Sequence, residues 1–362
     1  MIVSFDVFKA IRTFGSLDGL RAISIMMVIW HHTASALYPS IRILRLGHLG
    51  VHFFFVISGF LITTLLLRER EKHGTISLKH FYIRRSLRIF PLYYAVILVY
   101  IAVVYFVEPT SVYGLAFWDN LKYYLTYTSN WFVTHDQPRV IFYFAWSLAT
   151  EEQFYLMWPS VEKYLRGMWP IVVAGVLILL SIATSSGWLS AFVHDDSLLH
   201  SVMESIAVPI CLGVILAHIL NEQGGFRVIA KVIGYRWSSL AALLLLAVIM
   251  AVPITHEVLA YTLIFIGMTF VVAACVVRED HWLAPIFSSA PMRLMGVLSY
   301  GMYLLHMLSY NAVKLVLKTL GVSHPLLSFV FTTLIAIGAA WISYRYFESY
   351  FLNLKQRYSR VG

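Results

Sequence analysis

Long apolar runs separated by short polar stretches follow one another along the whole chain. Runs of about 17–25 residues are long enough for a helix to cross a ~30 Å hydrocarbon core. They fall near 17–38, 48–67, 88–107, 145–162, 169–188, 201–220, 237–253, 257–277, 294–317 and 325–347. The pattern predicts an all-α, polytopic transmembrane helix bundle of about ten spans. An even number of spans places both termini on one side. Arg42, Arg45, Lys122, Arg139, Lys314 and Lys318 then lie on the opposite side. The rest of the 27 basic residues, including Lys9, Arg12, Arg21 and those from Arg68 through Arg88, share the side of the termini. By the positive-inside rule that side is cytoplasmic. No apolar core followed by a small-residue cleavage site precedes Ser16, so the first span is expected to be an uncleaved anchor. Residues 107–144 fall outside the membrane in this scheme and carry Tyr113, Phe117, Trp118, Tyr123, Tyr124, Tyr127, Trp131 and Phe132. These read as an interfacial aromatic belt, with some rings available to stack on a sugar, and the segment has room for a short surface or re-entrant helix.

Composition sharpens this picture. Of 362 residues, 60% are hydrophobic and only 12% charged, more apolar surface than one soluble core can bury. The net charge of +9 raises nucleic acid as a partner, but no basic block is long enough and the cations cluster at helix ends, so membrane lipid is the expected partner instead. Cys211 and Cys275, the only two cysteines, both lie in apolar runs. They offer neither a disulfide framework nor metal-ligand spacing, and no metal is expected.

The richest chemistry is in the first span, Ser16 to His32. On a helix turning ~100° and rising ~1.5 Å per residue, Arg21 and His32 fall within ~20° of one line, Asp18 within about 40°, and His31 ~80° away. An ionisable stripe in an apolar span normally faces a bundle interior or a wet cavity, which makes this one the wall of a site. The alternative is that Asp18 and Arg21 sit at one membrane surface and His32 at the other. His52 in the second span is expected near the depth of His32, while Gly47, Gly50, Ser58 and Gly59 are small residues suited to close helix packing. Arg85 and Arg88, three apart with Arg84 beside them, share a helix face. They would either fork onto phosphate or anchor lipid headgroups. In WSLATEEQFYLMWP, Glu151 shares a face with Ser147, Phe154 and Tyr155, and a carboxylate there would orient a histidine. Tyr300, Tyr303 and His306 line up near the end of the chain, where His306 is either a packing residue or a participant. The fifth to eighth spans look like scaffold, with His194–Asp196, Arg227, Lys231, Arg236 and Arg278–Asp280 expected in turns.

Taken in order, LDGLRA…HH, GHLGVHFFFVISGFL, FYIRRSLRIFP, WSLATEEQFYLMWP, SYGMYLLH and YRYFES resemble the integral-membrane acyltransferase 3 family, whose members O-acetylate bacterial surface polysaccharides and lipopolysaccharide. The resemblance covers nearly the whole chain. It implies one integral-membrane acyltransferase domain over 1–362, with no appended soluble domain, in the bacterial inner membrane. It also implies that Arg21 and His32 are the arginine and essential histidine of the first motif, that Arg85 and Arg88 are the pair associated with acyl-CoA, and that Glu151 rather than Glu152 is the acid of the WSL motif. Family members often carry aspartate at the position of His52. Trp146, Tyr155, Tyr303 and His306 fall in matching motifs as supporting residues.

Together the residues and the resemblance lead to an expected transfer of acetyl from cytosolic acetyl-CoA to a hydroxyl of an extracytoplasmic glycan or glycolipid. Arg85 and Arg88 would hold the CoA phosphates. His32 would act as base or transient acyl acceptor, and Glu151 would orient it. The rise from Arg21 to His32, about 16.5 Å, would separate the phosphate and reaction depths. The competing reading is a glycan or lipid transporter using the same polar residues as a proton relay. The absence of an internal repeat and of paired broken spans counts against it.

Overall fold

The computed structural model describes residues 3–11, 13–134 and 139–358. Arg12, counted above with the cytoplasmic cations, residues 135–138 of the aromatic connection, and the chain end at Gly362 lie outside the described residues. Among the described residues all regular secondary structure is helical. The principal helices are α1 (Gly15–Thr33), α2 (Leu49–His73), α3 (Leu78–Val107), α4 (Val112–Leu125), α5 (Ala145–Tyr164), α6 (Trp169–Ser185), α7 (Val208–Asn221), α8 (Gln223–Ile233), α9 (Ser238–Ala251), α10 (Glu257–Val277), α11 (Ala290–Thr319) and α12 (Pro325–Ser343). Each of the ten apolar runs carries helix. Four stretches, namely α2, α3, α10 and the continuous Pro325–Gln356, are long and apolar enough to cross a membrane. Two pairs of helices with short breaks raise this to six if each pair counts as one span.

Three local departures from the expected pattern have physical causes. Helix α3 begins at Leu78, well before the expected 88, and continues through Pro91. An interior proline removes one helical hydrogen bond without ending a long apolar helix whose neighbours compensate. Arg85 and Arg88 therefore sit about two and three turns inside the helix rather than at its start, beyond the reach of the N-terminal dipole. The run 201–220 is split into Leu198–Glu204 and α7, which restarts with Pro209 in its first turn, where a fixed φ suits a helix. Arg227 and Lys231 lie on helix α8 and not in a turn. The Gly224–Gly225 pair looks like a breaker in sequence, but the Glu222 carboxylate accepts the Gly225 N–H at 2.6 Å and caps the helix. Phe226, Ala230 and Ile233 then face inward while Arg227 and Lys231 are exposed. His194–Asp196 and Glu279–Asp280 do lie in turns.

The chain forms two compact units, the first comprising residues up to Arg68 with Val208–Phe347, the second Glu69–Ala207 with the chain from Glu348 on. In the first, α1 packs against α11, α11 against α12, and α10 against α7 and α9. Its core includes Leu20, Ile25, Ile29, Val56, Phe60, Met268, Val272, Met302 and Leu304. The expected close packing of α2 holds: a Cβ on Gly47, Gly50 or Gly59 would lie within 2.5 Å of a carbonyl oxygen of Met27, Ser24 or Ile210. Ser58 is half-buried.

At the start of α1, the Ser16 hydroxyl meets His281 Nε2 at 2.9 Å, tying the connection after α10 to the first helix. Burial pushes this imidazole down to about 4, although the adjacent Asp280 opposes the shift. A histidine depressed in the fold gives full stability above its unfolded value near 6.5, and that stability is lost as pH falls toward 4. The melting temperature of the purified protein is expected to fall between pH 6.5 and 4 and to fall less in His281→Gln. Identical pH profiles for the two proteins would remove His281 as the cause.

In the second unit the aromatic connection is a helix followed by a buried turn. The hidden helix is α4, and Phe117, Tyr124 and Tyr127 are 1%, 0% and 8% exposed, so they are core residues and not an interfacial belt. Phe117 and Tyr124, seven apart, share the inward face of α4. Tyr127 stacks on Tyr93 of α3 at 4.3 Å between centroids, and the Tyr93 hydroxyl donates to the Tyr124 carbonyl at 2.8 Å. Two buried carboxylates are structural. Glu69 accepts from Arg84 at 3.3 Å and from the Ser77 N–H at 3.0 Å, and Glu162 pairs with Arg70 at 3.8 Å.

Candidate functional site

In the first unit the stripe on α1 resolves into two parts. Arg21 donates to Asp18 at 3.0 Å across an i,i+3 step, each side chain about a quarter exposed, so these two charges neutralise one another locally. Further along, in the last turn, His32 meets other imidazoles. Its ring stacks on that of His306 from α11, with centroids 5.1 Å apart and planes 27° from parallel, and contacts His31 edge-on at 4.9 Å. His306 is 0% exposed. Its Nδ1 meets the Tyr303 carbonyl, an oxygen that only accepts, so Nδ1 carries a proton there. The Tyr303 ring lies 5.5 Å from the same imidazole.

Backbone proximity sets this stacking. A Cβ on Gly296 would come within 2.2 Å of the Asp18 carbonyl oxygen, so α11 lies directly on α1 at that level. Asp18 against Gly296 and His32 against His306 make the two helices a parallel pair, with the imidazoles facing each other further along. The turn before α2 and the first turn of α2 add to the group from the other side. His48 contacts His31 at 5.3 Å and His52 at 6.5 Å, and His52 lies flat on Phe265 of α10 at 5.0 Å. His306, His32, His31, His48 and His52 thus form an unbroken line of rings. Among the described residues no group of three or more His, Cys, Asp or Glu side chains is arranged to hold a metal ion.

In the second unit, the helix face predicted for Arg85 and Arg88 meets the WSL stretch. The Arg85 guanidinium lies over the Tyr155 ring at 4.7 Å and the Phe81 ring at 5.8 Å. The Tyr155 hydroxyl donates to Glu151 Oε1, as their i,i+4 spacing requires. Arg85, Tyr155 and Glu151 form one connected group, with Arg88 half-buried three residues along α3. Ser147 is buried and donates to the Phe144 carbonyl at 3.0 Å, while the half-buried Trp146 supplies a carbonyl to Thr150. Arg84 is committed elsewhere, to Glu69 and to the Tyr358 carbonyl, which separates it chemically from its neighbour.

The structure therefore brings together Asp18 with Arg21, His32 with His306 and Tyr303, and Arg85 with Tyr155 and Glu151. His32 and Glu151 belong to different units. His31 and His48 were not singled out by sequence spacing. Their signal was present as histidines at the ends of the first two spans, but only the register of α2 on α1 makes them neighbours of His32. The contact between Arg85 and Tyr155 joins residues 70 positions apart in the chain and has no local signature.

A family model described as an acyltransferase domain matches residues 14–345. A candidate O-acetyltransferase of Staphylococcus aureus (strain COL) is 29% identical over 326 residues, covering 83% of this chain and 51% of the relative. The peptidoglycan O-acetyltransferase OatA of Listeria monocytogenes is 28% identical over 363 residues, covering 92% and 55%. A candidate peptidoglycan O-acetyltransferase of Bacillus subtilis (strain 168), YrhL, is 25% identical over 371 residues, covering 93% and 54%. The chain spans about half the length of these relatives. No solved structure matches it.

Proposed function

The chain belongs to the acyltransferase 3 family, and from that membership we propose that it is a membrane O-acyltransferase moving acetyl from an acyl-CoA to a hydroxyl of an extracytoplasmic glycan. The names of its relatives support a peptidoglycan-type acceptor. In this reading residues 14–345 act as one catalytic domain of the bacterial inner membrane, about ten helices cross the bilayer with both termini cytoplasmic, and His32 lies toward the outer face.

The observation that carries the reading is the stacked His32–His306 pair. In this reading His32, held by a second ring that is itself anchored to a backbone carbonyl, acts as a positioned base. His32 takes the proton of the acceptor hydroxyl as its oxygen attacks the thioester carbonyl. The carbon–sulfur bond breaks, and the departing thiolate takes up the proton, giving the O-acetyl sugar and free CoA. His306 acts through His32 as a positioning residue. In the second unit Arg85 and Arg88 bind the donor phosphates, and Glu151 fixes the Tyr155 ring on which the Arg85 guanidinium rests.

Proteoliposomes containing the protein, supplied with acetyl-labelled acetyl-CoA and soluble peptidoglycan glycan strands, test the reading directly. The expected result is label on glycan and stoichiometric free CoA. Omission of the glycan distinguishes direct transfer from an acyl-histidine intermediate, since only the latter leaves label on the protein. A transporter or scaffold releases no CoA in response to glycan, and that outcome would sink the proposal.

A further inference from the structure

A pocket outside the residues used so far opens at the His32 end of the first unit. Its polar corners are Arg42, from the short helix Arg42–Arg45, with Glu257 and Tyr261 one turn apart on α10. Leu46, Ile254 and Ile264 supply apolar wall. The geometry points to this pocket as the binding subsite for one neutral N-acetylated sugar residue of the acceptor glycan, adjacent to the residue that is acetylated. The inference rests on the acyl-transfer reading above for what the glycan is used for, but not for whether it binds.

Four observations carry it. The cavity, about 240 Å³, is smaller than the roughly 300–1,000 Å³ usual for drug-sized ligands, so it suits a single sugar ring and not a nucleotide-bearing coenzyme. Its one cation and one anion cancel. A phosphate or carboxylate entering beside Arg42 would face the Glu257 carboxylate, whereas neighbouring sugar hydroxyls donate to the carboxylate and accept from the guanidinium at the same time. Arg42 is already aimed: one Nη donates to the Val252 carbonyl at 2.8 Å, which fixes the plane of its donor fork. Tyr261 provides an aromatic body with a polar tip, the apolar C–H face of a pyranose lies flat on such a ring, and the aliphatic wall receives the methyl of an N-acetyl group.

The pocket also lies beside the line of imidazoles that runs to the proposed base. The Tyr261 ring is 6.3 Å from that of His48, which contacts His31, which contacts His32. A sugar held at Tyr261 is too far away to react itself. Its neighbour along the glycan would extend from Tyr261 toward His48, on the His32 side of the pocket. The acceptor is therefore expected to be an oligosaccharide and not a free monosaccharide.

The test uses binding, so that it stands apart from catalysis. The full chain in detergent micelles is titrated calorimetrically with the β-1,4-linked tetramer of N-acetylglucosamine, and separately with coenzyme A. Glu257→Gln, which keeps the shape of the side chain, and Tyr261→Leu are each expected to weaken tetramer binding about tenfold, the size of one lost charge-assisted hydrogen bond or stacking contact. Coenzyme A binding should be unchanged in both, which also reports that the variants are folded. Tetramer binding that is undetectable in the wild type or equal in wild type and variants overturns the assignment. So does a parallel loss of coenzyme A binding in the conservative Glu257→Gln, since that would put the pocket on the donor side. A wild-type protein that binds the tetramer through this pocket yet transfers no acetyl would keep the subsite and refute only the proposed reaction.

Discussion

Replacing His32 by alanine is expected to lower acetyl transfer by about 10²- to 10⁴-fold, the range a positioned general base supplies, with the affinity for acetyl-CoA little changed. The ring lies at the end of α1 among imidazoles, stacked on the His306 plane. That gives a graded companion experiment. His306→Phe keeps a flat ring in the stack but removes the Nδ1–H that anchors it to the Tyr303 carbonyl. We expect a smaller loss, about tenfold, together with a displaced midpoint in the pH–rate profile, because the electrostatic surroundings of His32 change while its packing does not. The base works as neutral imidazole, so the rate falls on acidification in both proteins. A His306→Phe enzyme with wild-type rate and wild-type pH profile would reduce His306 to packing. Full activity in His32→Ala would make the whole line of histidines structural.

How far this arrangement was legible beforehand depended on whether one helix or two were needed to define it. Periodicity within a helix was enough to place Arg21 and Asp18 side by side and to put Tyr155 within reach of Glu151. Apolar length was enough to find helix in all ten runs. Neither source says which face of one helix meets which face of another. The imidazole line needs the close approach of α11 to α1 at Gly296 and of α2 to α1 at Gly50, both set by tertiary packing. The aromatic connection misled for a related reason. Phe117, Tyr124 and Tyr127 have the composition of a membrane-interface belt, but aromatic composition is the same for a belt and for a core, and only burial separates them. The i,i+3 spacing singled out Arg85 and Arg88 and left open what Arg84 does. Its partners, Glu69 and the Tyr358 carbonyl, are distant in sequence and were not legible there.

Arg85→Ala is expected to weaken coenzyme A binding by about 10- to 100-fold, the loss of one or two charge-assisted hydrogen bonds to phosphate, and Arg88→Ala by a similar factor. Both should act mainly on the KM for acetyl-CoA, because an interaction with a remote part of the donor is made equally in the ground and transition states. Arg85→Lys separates a phosphate fork from a simple charge. A lysine retains the cation but loses bidentate geometry and stacks less well on Tyr155, so it should recover only part of the affinity. Lipid anchoring predicts something else: lysine would substitute fully, and coenzyme A titrations of Arg85→Ala and the wild type would superimpose. Tyr155→Phe completes the series, since it keeps the ring beneath the guanidinium and deletes the hydroxyl that Glu151 accepts from. A loss of a few fold there, between those of the wild type and Arg85→Ala, is the result expected if Glu151 acts on the donor subsite through Tyr155. A loss in kcat with donor affinity intact would instead place Glu151 with the reacting atoms.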